Sequence, residues 1–162
     1  MRKIKSCITL FYCLIFVFVC KSQAPCPAGF SNYKFRKEIP ITNSNASLLS
    51  DFQVKIQLNT SVLINSGDMT ISGSDIRFVS SAGTSLPFWI DPDSFNSSNS
   101  DIWVKVDALA VGVTSIFMFH GNNGVSSVSS GTSTFDIFDD FSSPIIQSSV
   151  WAVSYTHLRA HE

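Results

Sequence analysis

Strict alternation of apolar and polar side chains over short stretches is the feature that most constrains the fold. In residues 52–58, Phe, Val, Ile and Leu occupy every second position, and Gln or Lys stands between them. Residues 75–79, 86–90 and 102–106 follow a similar pattern. Because successive side chains of a β-strand point to opposite faces of a sheet, the pattern predicts strands with one face on a core.

Turns rich in Ser, Asn, Thr and Gly separate the predicted strands. The spacing of about 8–12 residues is typical of sandwiches and barrels. Further strands are expected at 33–41 and 113–120, and the second is apolar on both faces, which predicts a central position. No segment from Phe30 onward predicts a helix. The predicted fold class is therefore all-β: an antiparallel, jelly-roll-like β-sandwich over residues 30–124.

The N-terminus has the pattern of an export signal. Arg2, Lys3 and Lys5 form a basic start, and an apolar run follows over residues 8–19. This run is shorter than the roughly 20 residues that a membrane span needs. We therefore expect a signal peptide over residues 1–22 and a mature protein that is secreted or held at the cell surface, without membrane insertion.

Several alternatives stay open for this leader. Cleavage after Ser22 is favoured over cleavage after Ala24, because a cut after Ala24 would have Pro25 directly behind it. Cys20 offers a lipid anchor, although the residue before it is Val19 and not a small one. A retained anchor helix is the remaining alternative.

The mature chain is acidic and poor in cysteine. Residues 23–152 hold six Lys or Arg against eleven Asp or Glu, a net charge of −5. Nucleic-acid binding needs a basic patch that displaces phosphate counterions, so nucleic acid is excluded as a partner. Only Cys26 remains after cleavage, which excludes an intrachain disulfide and a multi-cysteine metal site. We expect no cofactor and no metal, and the oligomeric state stays open.

Paired acids are the first candidates for chemistry. Asp91 and Asp93 flank Pro92, and Asp139 precedes Asp140. A glycosidase holds two carboxylates across a cleft and raises the pKa of one by burial. The first pair falls in a polar loop, where a solvated turn is the favoured interpretation. Binding of Ca²⁺ by such oxygen ligands is the alternative.

His120 is the second candidate for chemistry. A serine nucleophile would need a histidine as its base, but the chain contains no Gly-x-Ser-x-Gly motif. His120 ends a predicted strand just before a Gly-Asn-Asn-Gly turn, so filling that turn is the favoured interpretation. We assign no catalytic residue and expect that the protein is not an enzyme.

Trp89 and Trp103 are the candidate ligand-binding residues. Each stands in a strand whose neighbouring positions carry the predicted core side chains. Both rings should then point away from the core, where exposed aromatic rings can stack on sugars. The alternative is that loops or a following domain cover both rings, since large aromatic side chains are mostly buried.

The composition changes after Gly124. Residues 125–134 are mostly Ser, Gly and Thr, which is a linker composition. Residues 135–141 predict the opening strand of a second, truncated domain that starts over residues 135–152. An isolated strand cannot bury its apolar face, so this segment either docks on the first domain or belongs to a longer protein. Residues 153–162 resemble the translation of a sequencing-library adapter, and we exclude them from the fold.

A series of motifs also matches a known family in order and spacing. The motifs are Asp51-Phe52-Gln53-Val54, Asp75-Ile76-Arg77-Phe78, Leu86-Pro87-Phe88-Trp89-Ile90, Ile102-Trp103-Val104-Lys105-Val106, residues 112–119, His120-Gly121-Asn122 and residues 135–141. On these residues the chain resembles the bacterial and archaeal family called domain of unknown function 2341. The family often has Tyr where Phe88, Phe119 and His120 stand.

The resemblance implies a β-sandwich module within large secreted or surface proteins. A concanavalin-like lectin domain often follows such a module, and residues 135–152 resemble its beginning. The family has no established activity, so no catalytic residue carries over. We expect a non-catalytic module that binds a glycan or surface polymer, or serves in adhesion, within a larger surface protein. The alternative is an accessory domain of a secreted polysaccharide-degrading hydrolase.

Overall fold

The computed structural model describes residues 27–142 and Trp151. The expected signal peptide at 1–22 and the adapter-like residues 153–162 lie outside the described residues. Within the described part, the chain forms seven strands and two short helices. No helix among these residues has the length and apolar character needed to cross a membrane.

The elements run from Phe35 to Thr134. Their bounds are β1 Phe35–Asn43, β2 Leu49–Leu58, α1 Thr60–Asn65, β3 Arg77–Ser80, β4 Ser85–Leu86, β5 Phe88–Ile90, β6 Ser100–Leu109, β7 Gly112–His120 and α2 Gly131–Thr134.

The strands form two antiparallel sheets. One sheet has the order β1-β7-β3-β4, and the other has the order β2-β6-β5. Apolar residues from both sheets share one core cluster. The predicted all-β antiparallel sandwich is confirmed. The prediction that residues 113–120 form a central strand is also confirmed, because β7 lies between β1 and β3.

The alternating residues pack where the pattern predicts. Ile102, Val104 and Val106 of β6 are buried in the core. They face the other sheet, where Phe78 is equally buried. The rings of Phe78 and Phe88 meet edge to face at 5.3 Å between centroids. Burying one such side chain contributes about 1.5–3 kcal/mol, so this contact between the sheets is a main source of stability.

Pro87 marks the point where the chain passes from one sheet to the other. Leu86 pairs with Phe78 in the four-stranded sheet, whereas Phe88 pairs with Val104 in the three-stranded sheet. The sequence predicted one continuous strand over 86–90, and that prediction was wrong. Proline has no backbone N–H to donate, although the Pro87 carbonyl still accepts a hydrogen bond from the backbone N–H of Lys105 at 2.9 Å.

The helix α1 also contradicts the sequence prediction, which placed no helix after Phe30. Asn59 caps its N-terminus, because the Asn59 side-chain oxygen accepts from the backbone N–H of Val62 at 3.2 Å. Asparagine is among the favoured N-cap residues. The helix has only six residues, which is too short for apolar periodicity to show in the sequence.

Truncation of a ring at the contact between the two sheets should be severely destabilising. Phe78→Ala should lower the free energy of unfolding by about 3–5 kcal/mol, because it removes a fully buried ring and leaves a cavity. Phe52→Ala is the matched control, since Phe52 is 45% exposed, and it should cost no more than about 1 kcal/mol. Urea unfolding of both variants tests this. Equal losses would contradict the assignment of Phe78 to the core.

Candidate functional site

The two candidate tryptophans lie side by side on the outer face of the three-stranded sheet. Trp89 of β5 is directly opposite Trp103 of β6 in the strand pairing. Their neighbours Phe88, Ile90 and Ile102 are buried in the core, so both rings point away from it, as predicted. Each tryptophan is half-buried.

Two phenylalanines from further along the chain cover part of this pair. Phe135 packs edge to face against Trp103 and Trp89, with ring centroids 5.6 and 6.1 Å apart. Phe138 packs against Trp89 at 5.2 Å and stacks with Phe135 at 5.8 Å. Of the two possibilities for the rings, open or covered, the structure therefore shows partial cover by the protein's own chain.

We call residues 129–138 the outer-face cap. Backbone contacts fix its start along the free edge of β5. The Ser130 N–H donates to the Phe88 carbonyl at 2.8 Å, and the Ile90 N–H donates to the Ser129 hydroxyl at 2.9 Å. The N-cap hydroxyl of Ser130 then accepts from the backbone N–H of Ser133, which starts α2. The edge of the sheet is thereby closed by hydrogen bonds as well as by the aromatic contacts.

Polar contacts fix the other side of the outer-face cap. The Gln53 side-chain amide donates to the Thr134 carbonyl at 3.1 Å. Lys105 Nζ lies 3.2 Å from Asp136 Oδ1. Gln53 and Lys105 lie on the same face of the sheet as Trp103. They pair with each other across β2 and β6, and Lys105 is two positions after Trp103 in β6.

Gly131 is required by this packing. A Cβ atom at residue 131 would overlap the ring of Phe138. Residue 131 therefore has no room for any side chain while Phe138 rests on Trp89. The glycine looked like part of a flexible linker in the sequence, but its role is steric.

Residues 125–141 thus differ from the sequence prediction. The segment 125–134 contains the helix α2, and residues 135–141 form no strand. The described part of this segment packs on the sandwich through Phe135 and Phe138. The sequence pattern could not predict this docking. Phe135 lies 46 positions from Trp89 along the chain, whereas apolar periodicity reports only on near neighbours.

The acid pairs act as hydrogen-bond acceptors in turns. Asp91 Oδ1 accepts from the backbone N–H of Asp93 at 3.1 Å. Asp139 accepts from the Phe141 N–H at 2.9 Å and from the Trp151 indole N–H at 2.8 Å. Hydrogen bonds from the Ser142 hydroxyl and backbone N–H lower the pKa of Asp140. Among residues 27–142 and Trp151, no three His, Cys, Asp or Glu side chains converge as metal ligands.

Asp75 is a buried acid whose role the sequence analysis missed. It accepts from the Thr70 hydroxyl at 2.6 Å, from the Thr70 N–H at 3.0 Å and from the Gly121 N–H at 2.7 Å. Burial raises the pKa of Asp75, but these hydrogen bonds outweigh burial, and the pKa lies below its ordinary value. No local pattern marks it, because Gly121 is 46 positions away.

His120 directly precedes Gly121, the turn residue whose N–H donates to this buried acid. Its Nδ1 atom is 2.9 Å from the Asp68 carbonyl oxygen, and its ring stacks on Phe35 at 5.0 Å between centroids. A carbonyl can only accept, so Nδ1 carries the proton. This geometry is that of a residue ordering a strand end and the following turn.

Comparison with known proteins gives a match to a protein family. The family described as Domain of unknown function (DUF2341) matches residues 72–154. That range contains β3 to β7 and the whole outer-face cap. No curated protein and no solved structure matches the chain.

Substitution of Gly131 should release the outer-face cap. Gly131→Ala should make Trp89 more accessible to acrylamide quenching and cost about 1–3 kcal/mol of stability, because the new methyl group displaces Phe138. Gly124→Ala is the control, since a Cβ there meets only Asn122 Oδ1 at 3.7 Å. If acrylamide quenched Trp89 equally in Gly131→Ala and Gly124→Ala, the packing of Phe138 against Gly131 would be contradicted.

Acidification should destabilise the fold in part through Asp75. Its folded-state pKa is lowered, so its stabilising contribution is complete above about pH 5 and is lost as the pH falls through the unfolded value near 3.9 toward the folded one. Asp75→Asn should flatten this dependence and cost about 1–3 kcal/mol at pH 7, since its donors lose an acceptor. Urea midpoints between pH 7 and pH 3 measure both effects. The exposed Asp93→Asn serves as control, and an unchanged slope for Asp75→Asn would refute the prediction.

Proposed function

The chain belongs to the domain of unknown function 2341 family, and on that premise we propose that it is a non-catalytic recognition module. Its action is binding a glycan or a surface polymer, or adhesion, as part of a larger secreted or cell-surface protein. The observation that carries the proposal is the Trp89–Trp103 pair on the outward face of a sheet. An aromatic platform with polar neighbours suits the alternating apolar and hydroxyl-bearing surfaces of a sugar.

The polar neighbours stand next to Trp103. Lys55 is its partner in the strand pairing, and Lys55 Nζ lies 6.0 Å from the Trp103 ring centroid. Asp101 accepts from the Gln57 amide at 3.0 Å and from Lys55 Nζ at 3.3 Å. These three side chains form a row of donors and acceptors beside a half-buried ring, in which Lys55 and Gln57 are exposed and Asp101 is half-buried. Sugar hydroxyls can pair with both kinds of group.

The charge state of the carboxylates supports binding over catalysis. The Gln57 hydrogen bond, together with Lys55, lowers the pKa of Asp101. It therefore stays ionised as an acceptor, whereas a glycosidase acid needs a raised pKa. Asp75 is ionised as well, and the hydrogen bonds that hold it come from the protein itself.

The outer-face cap limits how a ligand would reach this platform. Phe135 and Phe138 occupy one side of the two tryptophans, so a glycan must bind at the Lys55 side of Trp103 or displace the cap. Cap and ligand would compete for the same aromatic surface. Removal of a cap ring should then increase glycan binding rather than reduce it.

A glycan array can test this function. Trp103→Ala should lose about tenfold in affinity, a free-energy change of about 1.4 kcal/mol, because one stacking ring is lost. Trp89→Ala should weaken binding as well, and Phe138→Ala should strengthen it by uncovering Trp89. Phe52→Ala is the control for an exposed ring elsewhere, and circular dichroism checks that each variant folds.

Two results would overturn the proposal. The first is an array with no ligand for either the unaltered protein or Phe138→Ala. The second is a glycan that binds Trp103→Ala and Trp89→Ala with the same affinity as the unaltered protein. Either result would mean that the two tryptophans serve only as the surface on which the outer-face cap packs. Recovery of the chain from the medium, cut after Ser22, would test the proposed export separately.

A further inference from the structure

Lys37 breaks the alternation of the edge strand β1. In the strand pairing it lies opposite Met118, and its neighbour Ile39 lies opposite Ile116. Met118 and Ile116 belong to the core. Lys37 therefore has the same register as Ile39 and Ile41, which are half-buried, but its own side chain is exposed.

The sandwich is open at this position. A cleft of ≈ 470 Å³ lies between the edge strand β1 and the start of α1, and Lys37 lines it. Its apolar walls include Met118, Val62 and Leu63. The volume falls within the range of about 300–1,000 Å³ that small-molecule sites occupy. Among the described residues, no carboxylate lies within ion-pair distance of the Lys37 ammonium.

Besides Lys37, the polar residues Gln57 and Asn59 line the same cleft, and their other contacts determine which of their atoms remain available. Asn59 Oδ1 accepts from Val62 N–H and from the Ser61 hydroxyl. The Asn59 NH₂ group is thus the part left for a ligand. Gln57 Nε2 donates to Asp101, which leaves Gln57 Oε1 as an acceptor.

His120 contributes a fourth polar group to the wall of the cleft. Its Nδ1–H donates to the Asp68 carbonyl, which fixes the ring and leaves Nε2 as an acceptor in the neutral imidazole. The cleft therefore offers a cation and an amide donor together with two acceptors. An anionic group suits the first pair, and hydroxyl groups suit the second.

We propose that this cleft binds a small hydroxylated carboxylate, of the chemical class of acidic sugars. The carboxylate lies between the Lys37 ammonium and the Asn59 NH₂ group. Hydroxyl groups donate to Gln57 Oε1 and His120 Nε2, and the carbon skeleton rests on Val62 and Leu63, next to the buried Met118. The cleft shares Gln57 with the polar row beside Trp103, but neither Trp89 nor Trp103 lines it. Substitutions at Lys37 and at Trp103 therefore test the two proposals separately.

Glucuronate is a suitable probe, with glucose as its uncharged counterpart and sodium chloride as the ionic control. In the full chain labelled with ¹³C at its methionine methyl groups, glucuronate should produce a saturable shift of the Met118 signal. Glucose should bind at least about fivefold more weakly than glucuronate, because it lacks the charge that pairs with Lys37. Sodium chloride at equal ionic strength should cause no saturable shift.

Two substitutions test the recognition without removing the fold. Lys37→Met should weaken glucuronate binding about fivefold and leave the response to glucose unchanged. Asn59→Asp should abolish glucuronate binding, because Asp caps a helix as well as Asn does but places a negative charge beside the carboxylate. Lys34→Gln removes an exposed cation outside the cleft and should change nothing.

The opposing explanation is that Lys37 only guards an edge strand. Inward-pointing charges on edge strands are known to prevent edge-to-edge association. In that case Lys37→Met would self-associate in sedimentation velocity, and the unaltered protein would show no saturable Met118 shift with glucuronate. That outcome, or a shift that persists unchanged in Lys37→Met, would overturn the proposal.

Discussion

The contact between the two sheets through Phe78 and Phe88 is the interaction on which the rest of the structure depends. Phe78 sits in one sheet and Phe88 in the other, yet only one strand, one turn and Pro87 separate them in the chain. The core closes because the chain changes sheets at that proline. Once Phe88 is buried, the pleat turns Trp89 outward and opposite Trp103. The candidate binding face is therefore a direct consequence of core packing.

Period-two patterning was sufficient to predict the fold class and the direction of most side chains. It worked for β2 and β6 because burial on one face forces a strict register. It failed at Pro87, where a continuous apolar pattern concealed a change of sheet, since both halves bury their side chains in the same core. It also missed α1, because a single turn and a half gives no helical period. Neither failure could be avoided from the pattern alone, because a short segment samples too few positions to separate these alternatives.

The candidate site was predictable only in part, for a different reason. The outward direction of Trp89 and Trp103 follows from parity along each strand. Their partial cover by Phe135 and Phe138 follows from contacts distant in sequence, and composition suggested a linker there. The Ser- and Thr-rich stretch is instead ordered by hydroxyl and backbone hydrogen bonds along β5. Asp75 escaped notice likewise, because Gly121, one of its hydrogen-bond donors, comes from a distant turn.

Exceptions to the alternation are the most informative residues in this chain. A residue that obeys the pattern reports only that it packs against the core or faces water. Lys37 disobeys it: its register is that of the core-side residues of β1, yet its side chain is exposed at the cleft. No described acid is near enough, and the cleft beside it offers other polar groups in a matching arrangement. Where a fold is specified by so regular a pattern, a polar residue at a core-side position is the place at which function is best sought.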